Sequence, residues 1–279
     1  MGKSTKATTI KRRSRPAAKR RSSTVQAVQH AIEVLRCVSQ TQPEIGVSEI
    51  ARRVGLHKSS ISRLVSTLAA EHLLERNERT EGVRLGFSLV ALAAPLLSGA
   101  GLTQAAQPQI NALAERSGET VNLSVWDGHQ AVSVHQALGT NAITHYATPG
   151  QINPAHCTAS GKLLLAFASQ DEIDKALSGR LQRFTEHTKT SPAVLARELA
   201  QIRTEGRAIN HGEYASDVGA VAAGVRNMDG RTLAVVTIPA PAYRFSSGRQ
   251  TELMAMVEAT AAVISAQLGY RPQTVPKIR

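Results

Sequence analysis

Cysteine is scarce in this chain of 279 residues: Cys37 and Cys157 stand 120 positions apart, with no C-x-x-C pair. That excludes a disulfide framework and a paired-cysteine zinc site, and it fits a reducing cytoplasm. Aromatic residues make up 3% of the chain, too few for single-strand nucleic-acid binding on stacked rings. Acidic residues are missing from positions 1–24, which hold nine of the 33 Lys and Arg. The net charge of +12 therefore sits mostly in this tail and the body is close to neutral, which argues against a histone-like protein that coats DNA with its whole surface. The tail has no apolar run and is no secretory signal; it reads as a disordered arm for DNA phosphates, with a transit peptide or a plain solubility tail as alternatives.

A convincing membrane span is also lacking. Leu85 to Ala114 is free of charge and long enough to cross a bilayer, but it is Ala-rich and interrupted by Pro95, Gly99, Gly101 and three glutamines. It reads instead as a helix over 87–98 and a second over 103–117 ended by Gly118, both packed on protein. Catalytic signatures are missing too: no G-x-S-x-G, no H-E-x-x-H and no complete G-x-G-x-x-G, and the scattered His129, His135, His145, His187 and His211 lack i, i+4 spacing. A hydrolase or metal enzyme on the C-terminal part is the weaker alternative, and no catalytic residue, metal or cofactor is assigned.

What remains is 42% hydrophobic and 19% charged, an ordinary globular composition long enough for two domains. Val28, Ile32, Leu35 and Val38 step by four, three and three, which predicts one buried stripe on a helix within 25–40. Pro43 and Gly46 break it. Ser48 is placed to cap a short helix, Glu49 suits its first turn, and Gly55 supplies a left-handed stop. The next helix puts Ile61, Leu64, Val65 and Leu68 on one face and leaves Ser59, Ser60, Ser62, Arg63 and Ser66 off it. Small polar side chains near a helix N-terminus can reach base edges in a major groove while Arg and backbone N–H groups hold phosphates. Leu73–Arg76 and Val83–Leu85 around the polar turn 77–82 predict a β-ribbon wing carrying Arg76, Arg79 and Arg84, which face either phosphate or Glu75, Glu78 and Glu81. The candidate DNA contacts are Ser48, His57, Lys58, Ser59, Ser60, Ser62, Arg63, Ser66, Arg76, Arg79 and Arg84.

These segments, with Arg84-Leu85-Gly86, Gly118-Glu119-Thr120-Val121-Asn122-Leu123, His156 to Lys162, Glu213-Tyr214 and Gly230, resemble the IclR family of bacterial transcriptional regulators over about residues 25–270. The resemblance implies an α+β chain: a winged helix-turn-helix DNA-binding domain (25–86), a linker helix (87–102) and a GAF-like effector domain (103–270) with a curved antiparallel sheet, flanked by the basic tail (1–24) and a short C-terminal tail (271–279). It further implies a homodimer or dimer of dimers on a palindromic operator in double-stranded DNA, acting as repressor or activator, with RNA polymerase as a further partner and no membrane. Alternating strands at Val121–Val125, Ala131–Val134 and Thr232–Ile238, the Asp127-Gly128 and Asp229-Gly230 turns, a capping box from Ser169 to Glu172, a helix opening at Ser191-Pro192 and a last helix through Leu253 to Leu268 agree with that layout.

The loop from Asn153 to Lys162 delivers the N-terminus of an apolar helix, an end that attracts anions. It is no P-loop, since His156 and Leu163 stand at positions that motif gives to Gly and Ser/Thr. By resemblance this loop lines an effector cup made of His145, Asn153, Ala159, Ser160, Gly161, Asn210, Val218, Ala220 and Thr237, and a small organic or aromatic acid is the expected effector. Asn210 replaces a residue commonly acidic in the family and Ala220 one that is sometimes cysteine, so the cup has lost a charge. Cys157 is expected to be a half-buried packing residue and His156 to bond the loop backbone.

Overall fold

In the computed structural model, residues 25–39, 42–77, 79–97, 101–141 and 148–271 are described. The chain divides into a unit ending at Ala93 and a unit beginning at Ala94.

The first unit is a three-helix core with a small sheet. Helix α1 (Gln26–Arg36) is followed by β1 (Ile45–Gly46), α2 (Val47–Val54), α3 (Lys58–Ala70), β2 (Leu74–Arg76) and β3 (Gly82–Leu85). Val34, Ile45, Ile50, Ile61, Val65, Leu68, Leu74 and Val83 form its core. The stripe expected on α1 is not the buried one: Val28 and Ile32 are exposed, while Val34, Cys37 and Val38 turn inward. The helix also ends at Arg36, so Val38 belongs to the following turn and does not continue the stripe. A second expectation fails at α2. The helix begins two residues early with Gly46 as its cap, and no side chain caps it, which leaves the exposed Ser48 hydroxyl inside the first turn. Gly55 does end α2 in the left-handed region at φ +74°, a conformation that costs other residues about 1–2 kcal/mol. The wing is three-stranded, in the order β1-β3-β2, with Ile45 paired to Val83 and Leu74 to Leu85. Helix α4 (Ser88–Leu97) spans the division between the units.

The second unit is built on a six-stranded antiparallel sheet in the order β6-β5-β4-β9-β8-β7. Its strands are β4 (Val121–Trp126), β5 (Ala131–Ala137), β6 (Ile152–Asn153), β7 (Arg207–His211), β8 (Val218–Arg226) and β9 (Thr232–Pro241). Each side chain's face follows from the two-residue period. Leu123, Val221, Ala223, Val236 and Ile238 face α5 (Leu102–Ser117) and α9 (Ser247–Gln267), forming one core. Ala220, Ala222 and Val235 face the opposite way, against α6 (Ala159–Phe167) and α8 (Pro192–Glu205), in a second core beside α7 (Gln170–Ser178). Residues 159–166 of α6 are all buried: the helix is mostly apolar and lies between the sheet and two other helices, with Ser160 and Lys162 as its buried polar residues. The Ser169–Glu172 capping box at α7 is present, and α9 starts at Ser247, earlier than the apolar periodicity indicates, because Ser246 caps it. Among the described residues no helix is long and apolar enough to cross a membrane.

Candidate functional site

On the first unit, α3 buries Ile61, Val65 and Leu68 and leaves Lys58, Ser59, Arg63 and Ser66 exposed, with Ser60 and Ser62 partly so. This division follows from helical spacing, since positions 61, 65 and 68 lie on one side of a 3.6-residue turn. His57 caps the helix: its Nδ1 accepts from the Ser59 N–H at 3.3 Å and lies 2.9 Å from Ser59 Oγ. Arg76 on β2 donates to Ser66 Oγ at 3.1 Å, which ties the wing to the exposed face of α3. Arg84 is occupied by Glu75 at 2.8 Å. Arg79 lies at the turn, where its backbone N–H donates to Asn77 Oδ1 at 3.0 Å.

The charges around α3 differ from those on α2. Glu49 accepts from Arg52 at 2.6 and 2.8 Å and from Arg53 at 2.8 Å, and those hydrogen bonds, Arg52 first, hold its carboxyl at about 2. The two arginines of α2 thus share a carboxylate that stays ionised at any physiological pH. Lys58 and Arg63 have no such ion pair among the described residues, so the positive charge of α3 is available to an outside anion.

On the second unit, a cavity of about 160 Å³ lies between the sheet and the start of α6, about the size that holds one benzene ring. Of the residues expected in the cup, Asn153, Ala159, Ser160, Asn210, Val218, Ala220 and Thr237 line it. His145 lies outside the described residues. Gly161 is not among the residues that line it. Its N–H donates to Thr158 Oγ1 at 3.0 Å, and a Cβ there would run into the Pro154 carbonyl, so only glycine lets the loop fold this tightly onto the helix. Thr158 takes the single capping bond of α6, leaving the Ala159 and Ser160 N–H groups without intrahelical partners at the cavity wall.

Sequence reasoning missed Asn122, Gln151, Thr158, Tyr214, Ala215 and Pro239, which also line the cavity. Asn122 and Pro239 were discoverable from the strand period: once Thr237 is placed on the cup face, Pro239 shares it by two-residue spacing and Asn122 pairs with Thr237 across the strands. Tyr214 and Ala215 come from an irregular loop that carries no period to read. Among the described residues the lining has no charged side chain.

Beneath the cavity is a buried ion cluster that the P-loop comparison left unexplained. Lys162 is fully buried, and its Nζ donates to Glu213 at 2.6 Å, Glu198 at 2.7 Å and the Ile209 carbonyl at 2.9 Å. Lys189 reaches Glu198 at 2.9 Å. Burial pushes the Glu198 carboxyl up, but Lys162 and Lys189 outweigh it and leave the group below the ordinary carboxylate range. Asn210 connects this cluster to the cup, donating through Nδ2 to the Cys157 carbonyl and accepting the Glu213 N–H at 3.2 Å. An aspartate at position 210 could not make the first of these bonds. Cys157 is more deeply buried than expected, and burial raises its thiol to about 12, which makes it inert as a nucleophile. His156 bonds the Gln182 carbonyl at 2.8 Å.

Two family models match the chain: the IclR helix-turn-helix domain over residues 27–78 and the bacterial transcriptional regulator IclR C-terminal domain over residues 94–266. The regulator KdgR of Escherichia coli K12 is 31% identical over 247 residues, covering 88% of this chain and 94% of its own. The repressor IclR of the same organism is 27% identical over 248 residues, covering 88% and 90%. The crystal structure of Thermotoga maritima IclR superposes with a TM-score of 0.65 at 27% identity, covering 88% and 99%. An IclR homologue from Microbacterium hydrocarbonoxydans, complexed with 4-hydroxybenzoate, shares the fold at a TM-score of 0.74 and 24% identity over 87% and 98%.

Proposed function

The chain belongs to the IclR family, DNA-binding transcriptional regulators with a C-terminal effector domain, and on that premise we propose that a small organic or aromatic acid held in the cup controls its binding to an operator. The observation that carries this reading is the free helix N-terminus at the cavity wall. Two N–H groups without intrahelical partners and the positive end of α6 suit a carboxylate, and among the described residues the lining adds no acidic side chain to repel it. A bound aromatic acid in a regulator of the same fold points the same way.

The proposed DNA contacts are His57, Lys58, Ser59, Ser60, Ser62, Arg63 and Ser66 on α3, Ser48 on α2, and Arg76, Arg79 and Arg84 on the wing. Exposed Ser and Arg on a helix whose other face is buried suit base-edge and phosphate contacts. The exposed apolar residues Val25, Val28 and Ile32 at α1, with Phe87, Val90 and Leu92, support a homodimer, in which a second copy covers them and sets two recognition helices on a palindrome. Pairing into tetramers, contact with RNA polymerase, a cytoplasmic location and the lack of an enzymatic role complete the proposal. The mechanism is two-state: the acid favours one arrangement of the subunits, and that arrangement sets how well the two α3 helices match their half-sites.

The test is binding of the full-length protein to the promoter regions flanking its own gene, titrated with short aliphatic and aromatic acids. A specific complex whose affinity shifts with one class of acid is the expected result. Specific binding indifferent to every acid would leave the DNA-binding half and remove the effector assignment from the cup.

A further inference from the structure

The cup holds two buried polar side-chain atoms with no hydrogen-bond partner among the described residues. Asn122 on β4 and Thr237 on β9 are paired in register across the sheet, so both project from the same face. Both line the cavity, both are more than nine-tenths buried at 4% and 7% exposure, and neither Asn122 Oδ1 nor Thr237 Oγ1 has a hydrogen-bond partner among the described residues. Gln136, opposite Asn122 on β5, leaves its Nε2 without a partner among the described residues as well, so this row of the sheet is short of partners. The immediate neighbour of Thr237 on β8 is Ala222, which has no polar side-chain atom to offer. A buried polar atom left unpaired destabilises the fold, and hydrophobic residues of the same shape would serve the core better. Two such atoms side by side on a cavity wall therefore mark a place where the missing partner belongs to a ligand.

We propose that Asn122 and Thr237 form a hydroxyl-reading floor, and that the effector is a hydroxy acid: its carboxylate faces the Ala159 and Ser160 N–H groups and its hydroxyl sits between Asn122 and Thr237. A hydroxyl fits because it both donates and accepts. Its hydrogen goes to Asn122 Oδ1 and its oxygen accepts from the Thr237 hydroxyl. An ammonium group would only donate and would enter a lining that offers no carboxylate among the described residues, so its charge would be uncompensated. A methyl group in the same place would leave both protein atoms unpaired, and sites built to bond a hydroxyl discriminate strongly against analogues that lack it. The inference rests on reading the cup as an acid site and adds which acids it selects.

The experiment measures calorimetric affinities of the full-length protein for matched pairs, 3-hydroxybenzoate against benzoate and 3-hydroxybutanoate against butanoate. In at least one pair the hydroxy acid is expected to bind tenfold or more tightly than its parent. Asn122→Leu and Thr237→Val should each reduce that ratio to about two, the loss falling on the hydroxy acid. Both variants should melt at the wild-type temperature or a few degrees above it, since each removes an orphaned polar atom; this keeps misfolding from imitating the result. Equal binding within both pairs, or a preference that survives both substitutions, would overturn the hydroxyl floor while leaving the cup an acid site. Failure of all four acids to bind would overturn the acid reading and the hydroxyl floor with it.

Discussion

At the level of single residues, Lys162 and Arg63 show how one positive charge serves two purposes according to what surrounds it. Lys162 is enclosed by Glu213 and Glu198, and removing one partner of a buried pair costs about 3–5 kcal/mol because the other charges are left uncompensated. Lys162→Met should lower effector-domain stability by about that amount in urea denaturation, and combining it with Glu213→Gln should recover part of the loss; strict additivity of the two would mean they do not form one cluster. The cluster also predicts acid sensitivity. Glu198 is depressed in the folded state, so its stabilising contribution is complete above its unfolded value of about 4.5 and fades as the pH falls through the lower folded value. Lys189 is raised, so its contribution is complete below the unfolded value of 10.5 and is lost only as the pH rises through the folded one. Thermal melts from pH 7 to pH 3 should fall more for the wild type than for Glu198→Gln. Arg63, by contrast, is exposed and unpaired by any carboxylate among the described residues. Arg63→Ala should weaken operator binding without changing stability, and Ser60→Ala should relax the base preference at one position by about 1–3 kcal/mol if it meets a base edge. Equal operator affinity for Arg63→Ala and wild type would remove Arg63 from the contact set.

At the level of elements, periodicity was readable where one face is buried and deceptive on α1, whose apolar stripe lies exposed. The hairpins at Asp127-Gly128 and Asp229-Gly230, the Gly118 stop of α5 and the Ser169 capping box all carry local chemistry that acts within a few residues, so they could be located from sequence. Strand β8 could not be read by alternation, because six of the nine residues from Val218 to Arg226 are buried and both faces are apolar. The two-residue strands β1 and β6 are too short to show any period. On α1 the stripe was visible but assigned to the wrong surface: 3.6-residue spacing shows that residues share a face and does not say what covers it. The exposure of Val28 and Ile32 makes a direct prediction. Val28→Asp and Ile32→Asp should shift sedimentation toward monomer and abolish cooperative operator binding while leaving the melting temperature of the first unit near wild type, because its own core uses Val34 instead. An unchanged sedimentation coefficient would remove α1 from the proposed dimer contact. The cup was legible in part for a related reason. Its loop and helix start are continuous in sequence, whereas Asn122 and Tyr214 reach it from a strand and a turn separated by some ninety residues.

At the level of the whole molecule, the distribution of charge decides how DNA affinity depends on salt. The body is nearly neutral, and on α2 Glu49 already offsets one of the two arginine charges beside it. The recognition helix and wing therefore bring few uncompensated cations, enough to orient the unit on a duplex but too few for strong long-range attraction. Residues 1–24 bring nine cations and no acid, next in sequence to the DNA-binding unit. Each phosphate neutralised by a protein cation contributes about 0.9 to the slope of log affinity against log salt. Deleting residues 1–22 should therefore reduce that slope by several units, up to about eight if all nine cations engage. The deletion should leave the ranking of operator variants intact, because the proposed base-reading side chains are on α3. Two titrations separate the effects: operator and scrambled DNA, each across a salt series, with the full chain and with the shortened one. A smaller slope with an unchanged ratio of operator to scrambled affinity is the expected result. An unchanged slope would show that the tail does not touch phosphate, and a collapsed ratio would show that it takes part in reading sequence, which would move part of the specificity away from α3.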